Sequence, residues 1–155
     1  MSHKRFRCYA AIAPAAAFAT IAALAQSAIA HADNNGNFRF QTPSGNIACY
    51  LGPGESGGTN GFVACEIGDH TYAAPPPPPT CHLAWGSRVK FAQGGQPEFA
   101  CHGDTMRGAD LQTLDYGETA FSGAIRCAIE PAGITCTDTS TGHFFRLSRE
   151  SYELG

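Results

Sequence analysis

The residues of this chain with the clearest chemistry are six of its seven cysteines, namely Cys49, Cys65, Cys81, Cys101, Cys127 and Cys136; the seventh, Cys8, lies in the N-terminal segment. Thiols can hold a metal ion, exchange electrons or form disulfides, and their spacing separates these uses. No Cys-x-x-Cys or Cys-x-x-His pair occurs in the sequence, whereas zinc and thioredoxin-like redox sites place such residues about two to four positions apart. An even number of cysteines in a small exported domain is typical of a disulfide framework. We therefore predict that all six form disulfides.

The apolar pattern around Cys49 and Cys65 indicates which cysteines pair. When these two residues lie opposite each other in an antiparallel hairpin, the apolar residues two positions away also face each other. The pairs formed in this way are Leu51 with Val63 and Ile47 with Ile67. A shift of one residue would move all these side chains to the other face of the sheet. The pattern therefore predicts a Cys49–Cys65 disulfide.

The segment Ser122–Cys127 repeats the pattern of Ser44–Cys49, because both read Ser-Gly-x-Ile-x-Cys. Placing Cys127 opposite Cys136 again brings two apolar residues together. This pair is Ile129 and Ile134. The sequence thus predicts a weak internal hairpin repeat with a second disulfide, Cys127–Cys136. Pro131 in the connection favours a longer or bulged turn over a tight two-residue turn.

Two histidines follow the remaining cysteines, His82 after Cys81 and His102 after Cys101. A Cys81–Cys101 disulfide follows mainly by elimination, and other connectivities stay open. It would bring both histidines and Asp104 close together, as an acid–base group or an ion site requires. Residues beside bonded cysteines are close through connectivity alone, and no Gly-x-Ser-x-Gly motif is present. We therefore predict no catalytic, metal-binding or cofactor-binding residue, and we keep a hydrolase using His102 and Asp104 as an alternative.

Short alternating strands and turns must position these residues. Phe38–Gln41 alternates apolar and polar residues, and a last strand is predicted over His143–Leu147. A further apolar face is formed by Leu83, Trp85, Val89 and Phe91. Residues 110–116 form a helical turn or a loop, and no long helical periodicity appears. The sequence therefore predicts an all-β fold, a small disulfide-linked antiparallel sandwich or partly open barrel.

Five consecutive prolines, Pro75–Pro79, lie between the two predicted hairpins. Such a run forms a polyproline II helix and cannot join a sheet. It would serve as a docking ligand for an aromatic groove or as a stiff surface crossing between the two halves of the domain. No charged residue flanks the run to set a binding direction, so the sequence favours the crossing.

The N-terminal segment has the three parts of a secretory signal peptide: basic residues, an apolar run over residues 11–25, and small residues at Ala30 and Ala32. We predict a signal peptide over residues 1–32 with cleavage after Ala32, and after Ala30 as the second choice. A membrane anchor would need about 20 apolar residues, and Gln26 interrupts the run. Cys8 lies at its beginning rather than its end, so we predict no lipoprotein.

The mature chain is then one β domain over residues 33–155. Loss of Lys4, Arg5 and Arg7 leaves seven basic and 13 acidic residues, a formal charge of −6. An acidic surface without a basic patch argues against nucleic acid or an anionic membrane as partner. No later apolar run is long enough to span a bilayer. We predict a monomer that is extracellular, either released or associated with the cell wall, with a protein or envelope ligand of unknown identity.

The mature chain resembles a group of small exported proteins of mycobacteria and related actinobacteria, a secreted domain of unknown function. The matching stretches are Thr42–Cys49, Cys81–Gly86, Cys101–Thr105, Leu114–Gly117, Gly133–Cys136 and Thr141–Phe144. The resemblance implies export and a β-rich disulfide fold, and it brings no substrate, cofactor or catalytic residue. Relatives often interrupt the proline run with a charged residue.

We therefore predict a non-catalytic binding or interaction module, because the scaffold is rich in turns and lacks a coherent catalytic set. An enzyme is the less favoured interpretation, since a fold alone supports no activity. A third interpretation is an inhibitor of an extracellular enzyme, in which the glycine-rich connection Gly52–Gly61 would enter the cleft of its partner.

Overall fold

The computed structural model describes residues 36–54 and 60–155, and its secondary structure there is entirely β. The eleven strands are β1 (Phe38–Gln41), β2 (Ile47–Pro53), β3 (Gly61–Ile67), β4 (Arg88–Ala92), β5 (Glu98–Phe99), β6 (Gln112–Thr113), β7 (Thr119–Ser122), β8 (Ile125–Glu130), β9 (Gly133–Asp138), β10 (Phe144–Leu147) and β11 (Tyr152–Leu154). The predicted signal peptide lies outside the described residues, as do residues 55–59 of the predicted inhibitor loop. Within the described ranges, no helix is long and apolar enough to cross a membrane.

The strands form two sheets that pack face to face as a sandwich. Sheet I has six strands in the order β5-β4-β3-β2-β1-β6, and sheet II has five in the order β11-β10-β9-β8-β7. All pairings are antiparallel except that of β1 with β6, where Phe40 lies beside Gln112. The all-β disulfide-linked sandwich is confirmed. The helical turn or loop predicted over residues 110–116 is wrong in part, since this segment contains β6.

Both predicted hairpins form in the predicted register. Cys49 lies opposite Cys65, with a Cα–Cα distance of 4.1 Å, and Cys127 lies opposite Cys136 at 4.0 Å. The neighbouring apolar pairs are Leu51–Val63, Ile47–Ile67 and Ile129–Ile134, as predicted. The third disulfide, Cys81–Cys101, joins the segment before β4 to the segment after β5. All three disulfides match the predicted connectivity.

The core lies between the sheets and contains both hairpin disulfides. Phe40, Val63 and Val89 of sheet I and Ile134 and Phe145 of sheet II are fully buried. The rings of Phe91 and Phe145 meet edge to face across the core, with their centroids 5.7 Å apart. Burial of each such side chain contributes about 1.5–3 kcal/mol, so period-2 alternation is the main determinant of this fold.

Two polar side chains join the sheets near the β4–β5 turn. The amide oxygen of Gln93 accepts hydrogen bonds from the Gly61 and Ala124 amides at 3.1 and 2.9 Å. The carboxylate of Asp138, 0% exposed, accepts hydrogen bonds from the Gly94 amide at 2.6 Å and from Ser140. Burial raises the pKa of Asp138, but these hydrogen bonds outweigh it and lower the pKa below its usual value.

Three local predictions are wrong. The β8–β9 turn has only two central residues, because Glu130 pairs with Gly133. Pro131 keeps its negative φ there, and Gly133 follows with φ of 149°, at a point where a Cβ would collide with the carbonyl of Leu147. The last strand is β11 rather than β10. Leu83 does not join the apolar face of β4 but is 64% exposed.

Candidate functional site

The outer face of sheet I carries a polar network centred on Glu66. Glu66 is 6% exposed and accepts hydrogen bonds from the Arg88 guanidinium at 2.6 Å, the Thr105 hydroxyl at 2.7 Å and the Met106 amide at 2.9 Å. Arg88 is the cross-strand neighbour of Glu66. These bonds hold residues 100–108, the covering loop, against the sheet.

The charges of this network stabilise one another. Burial raises the pKa of Glu66, but its hydrogen bonds to Arg88, Met106 and Thr105 outweigh that effect and lower the pKa below its usual value. Arg88 also donates to the Asp104 carboxylate at 3.1 Å and lowers the pKa of that exposed group. The buried Nε of Arg88 has no hydrogen-bond partner among the described residues. The network thus anchors the covering loop through Glu66, which binds Thr105 and Met106, and through Arg88, which binds Asp104.

His102 lies beside this network and has a defined tautomer. It is 8% exposed, and its Nδ1 lies 2.7 Å from the backbone carbonyl of Asp104. Since a carbonyl only accepts, Nδ1 carries a proton, and in the neutral ring Nε2 then accepts from the Ser87 hydroxyl at 3.0 Å. This arrangement resembles a serine–histidine pair in which a carbonyl orients the imidazole.

The predicted grouping of His82, His102 and Asp104 forms only in part. The carboxylate of Asp104 binds Arg88 and not His102. The group of Asp104 that contacts His102 is its backbone carbonyl. His82 is exposed, and its side chain makes no hydrogen bond that the described part of the chain shows. Sequence reasoning missed Ser87, because no motif surrounds it.

A second polar region is a cleft of about 610 Å³ at one end of the sandwich, which we call the loop-end cleft. Turns of both sheets converge there, together with the segment after β3 and the covering loop. Its lining includes Gln41–Thr42, Ser44–Ile47, Asp69, Arg107–Gly108, Tyr116, Glu130–Gly133 and Arg149–Glu150. Its volume lies within the range of about 300–1,000 Å³ that is common for ligand sites.

Hydrogen bonds fix the turns around the loop-end cleft. The Asn46 side chain donates to the Asp69 carbonyl at 2.9 Å and accepts from the Asp69 amide at 2.7 Å. In the β10–β11 turn, the Ser148 hydroxyl accepts from the Ser151 amide at 3.0 Å. The Arg149 carbonyl accepts from the Thr71 amide at 2.7 Å. The backbone of the cleft is therefore organised before any ligand binds.

The side chains that line the loop-end cleft are mostly exposed and of mixed charge. No hydrogen bond or ion pair of the Arg107 or Arg149 guanidinium is seen over residues 36–54 and 60–155. The acidic residues of the cleft are Asp69, Glu130 and Glu150. Tyr116, 47% exposed, adds an aromatic surface. Such a lining can bind a polar ligand that carries both charges.

A family comparison can now be set beside this geometry. The model of a family of unknown function, DUF6636, matches residues 17–154. The chain belongs to this family. No curated protein and no solved structure matches the chain. The match agrees with the predicted domain of unknown function, and the family description assigns no ligand, reaction or site residue.

The structure offers little for a metal ion. In the part of the chain that is described, no group of three or more His, Cys, Asp or Glu residues could hold one. All six cysteines form disulfides, a state typical of proteins that fold in an oxidising compartment.

Proposed function

We propose that this protein is an exported, non-catalytic binding module whose ligand contacts the loop-end cleft. The observation that supports this proposal is a cleft whose turns are fixed by their own hydrogen bonds, while its arginines, Arg107 and Arg149, make no side-chain hydrogen bond or ion pair with any described residue. A rigid backbone lowers the entropy cost of binding. The two hairpin disulfides support this rigid cleft, because they hold the strands from which its turns arise.

The lining of the cleft defines the ligand class. Guanidinium groups form paired hydrogen bonds with carboxylates and phosphates, whereas Asp69, Glu130 and Glu150 attract amines. A peptide or a peptide-bearing glycan carries both kinds of group, and Tyr116 can stack on a sugar or side chain. We therefore expect a polar envelope component, either a wall fragment or an exposed protein segment, as the ligand.

Co-sedimentation with an isolated actinobacterial envelope preparation tests this proposal. The double variant Arg107→Ala/Arg149→Ala should bind at least about tenfold more weakly, since a hydrogen bond to a charged group contributes about 1.5–3 kcal/mol. The control Arg126→Ala/Arg146→Ala removes the same charge from sheet II, where Arg126 lies over Phe121 and Arg146 pairs with Glu153. Equal binding by both double variants, or no binding by the wild type, would refute the proposal.

A small hydrolase is the second candidate, and the Ser87–His102 hydrogen bond of 3.0 Å is the observation that favours it. In that mechanism Ser87 Oγ attacks an ester carbonyl while His102 Nε2 takes its proton, the protonated alcohol leaves, and water then releases the acid. A fluorophosphonate probe would label Ser87 in the wild type but not in His102→Ala. The binding proposal predicts labelling of Ser87 no stronger than that of Ser44.

Inhibition of an extracellular enzyme stays a third proposal. It depends on the connection Gly52–Gly61, whose central residues lie outside the described ranges. Slow, tight inhibition of a protease or muramidase that is lost when residues 55–59 are replaced by glycine and serine would favour it. Unchanged enzyme activity in the presence of the protein would exclude it for that enzyme.

A further inference from the structure

The proline run Pro75–Pro79, which we call the proline ridge, is held in place at both of its ends. The indole Nε1 of Trp85 donates to the Pro75 carbonyl at 2.7 Å, and the Cys81 amide donates to the Pro78 carbonyl at 2.9 Å. All five prolines are exposed, and every peptide bond in the described ranges is trans. An all-trans proline run is a polyproline II helix, so the ridge displays this helix on the protein surface.

The spacing of the two anchors determines which groups face outward. Pro75 and Pro78 are three residues apart, which is about one turn of polyproline II. The Pro75 carbonyl faces Trp85, so the Pro78 carbonyl, one helical turn later, lies on the same edge, where it closes a turn with the Cys81 amide. The carbonyls of Pro76 and Pro77 accept no hydrogen bond from any described residue, and they lie on the other edges with their exposed rings.

The anchors are themselves rigid. Trp85 packs on the buried ring of Phe99, with a centroid distance of 5.9 Å, and Phe99 meets Tyr152 of sheet II at 4.8 Å. At the other end, the Cys81–Cys101 disulfide fixes the chain just beyond the ridge. The order of the ridge is therefore already present in the free protein, which removes an entropy cost that a free proline-rich peptide pays when it binds.

The surroundings of the ridge define the chemistry of its partner. Residues 70–87 contain no Asp, Glu, Lys or Arg, in a mature domain of formal charge −6. Leu83, 64% exposed, follows the ridge and adds apolar surface. An uncharged ridge of proline rings with free carbonyls matches a neutral groove lined by aromatic rings whose Trp or Tyr side chains donate hydrogen bonds. It does not match an acidic groove that requires a flanking arginine.

We propose that the proline ridge is a preformed docking ligand for a protein partner with a neutral, aromatic-lined groove. The structure thereby favours the docking role, whereas the sequence alone favoured a surface crossing. A simple crossing between β3 and β4 would need length and stiffness, whereas here the rings and two carbonyls are turned outward by anchors one helical turn apart. The proposal is independent of the loop-end cleft.

Site-specific photo-cross-linking tests it. Exposed Thr80, directly after the ridge, is replaced by p-benzoylphenylalanine in the full-length chain, so that all five prolines stay intact. The purified protein is irradiated with an actinobacterial envelope extract, and adducts are identified by mass spectrometry. The matched control places the same group at exposed Thr139, in the β9–β10 turn. We expect an adduct from Thr80 that the Thr139 control lacks, attached near aromatic residues of the partner, and reduced at least about tenfold by excess octaproline peptide, which occupies the same kind of groove.

Two further variants keep the result interpretable. Pro76→Ala/Pro77→Ala should compete at least about tenfold less well than the wild type for the same partner, while an unchanged Trp85 indole NMR signal shows that the fold and the anchor persist. Arg107→Ala/Arg149→Ala should cross-link as the wild type does, so failure of the cleft proposal leaves this one standing. No specific adduct, an adduct insensitive to octaproline, or full competition by the proline variant would overturn the docking role.

Discussion

The β2–β3 and β8–β9 hairpins have the same inner face but different outer faces. Each has a cysteine pair at directly opposed positions, flanked by apolar pairs that enter the common core. The residue after the second cysteine points outward in both hairpins, and it is Glu66 in β3 and Thr137 in β9. Glu66 binds Arg88 and the covering loop, whereas Thr137 is half-buried and lies beside Phe144 of the next strand.

This difference shows how one structural unit acquires two uses. The inner face determines register and burial, and it is nearly interchangeable between the sheets. The outer face determines what packs on the sheet from the outside. The Glu66 carboxylate on β3, together with Arg88, fixes a loop of nine residues, 100–108, and with it the position of Arg107 in the loop-end cleft.

The largest effect is expected from removal of a hairpin disulfide. Cys49→Ala/Cys65→Ala should lower the free energy of unfolding by about 3 kcal/mol, because a loop of this length loses about that much closure entropy. Cys127→Ala/Cys136→Ala removes a disulfide that closes a shorter loop, with a sequence separation of 9 instead of 16. This loss should cost about 0.5 kcal/mol less. Urea unfolding measures both. A difference above about 2 kcal/mol would show that the two inner faces are not equivalent.

Removal of the Glu66 carboxylate should show most clearly how the outer faces of the two hairpins differ. Glu66→Ala leaves Arg88, 12% exposed, with Asp104 as its remaining partner among the described residues, and should destabilise the protein by about 3 kcal/mol. The matched change in the second hairpin, Thr137→Ala, should cost about 0.5 kcal/mol or less. Urea unfolding measures the stability of both variants. Equal losses in the free energy of unfolding would contradict the distinction between the outer faces.

Stability should also fall in acid because of carboxylates whose pKa values are lowered by folding. Glu66 and Asp138 have folded pKa values below their ordinary values of 4.5 and 3.8. Their contribution is complete above the unfolded pKa and is lost as pH falls through the folded pKa, at about 1.4 kcal/mol for each unit of difference. Thermal unfolding from pH 6 to pH 2 should show this decline, and Glu66→Gln should make it shallower. A parallel decline in that variant would rule out Glu66 as a source.

The smallest effect is expected on the outer face of sheet II. Arg146 and Glu153 form an ion pair at 2.8 Å, but their side chains are 53% and 55% exposed. Such a pair contributes about 0–1 kcal/mol, so Arg146→Ala should change the free energy of unfolding by less than about 0.5 kcal/mol. A loss as large as that of Glu66→Ala, again in urea, would mean that both outer faces are organised by ion pairs.

The sequence predicts the inner faces well, because register and burial depend on a period of two residues within each hairpin. The outer network could not be predicted in the same way. Glu66 binds Arg88 and Thr105 at sequence separations of 22 and 39. The sequence around a single carboxylate in a strand does not indicate which distant residue will be its partner. The strands β6 and β11, of two and three residues, are too short to show alternation.

The candidate sites were harder to predict than the fold. His102 and Asp104 are close in sequence and in space, but the hydrogen bond between them uses a backbone carbonyl, which no side-chain pattern reveals. The loop-end cleft joins six separate segments, and its arginines look scattered along the chain. The proline ridge was visible in the sequence, yet its outward face follows from hydrogen bonds to Trp85 and Cys81.

Hydrogen–deuterium exchange of the full-length protein, alone and with an actinobacterial envelope preparation, tests the proposed binding role most directly. The cleft proposal predicts slower exchange in the turns at residues 42–46, 130–133 and 148–151, with the outer face of sheet II around Arg146 unchanged as an internal control. Protection confined to residues 62–66 and 88–92, or no protection at all, would contradict the assignment of ligand binding to the loop-end cleft.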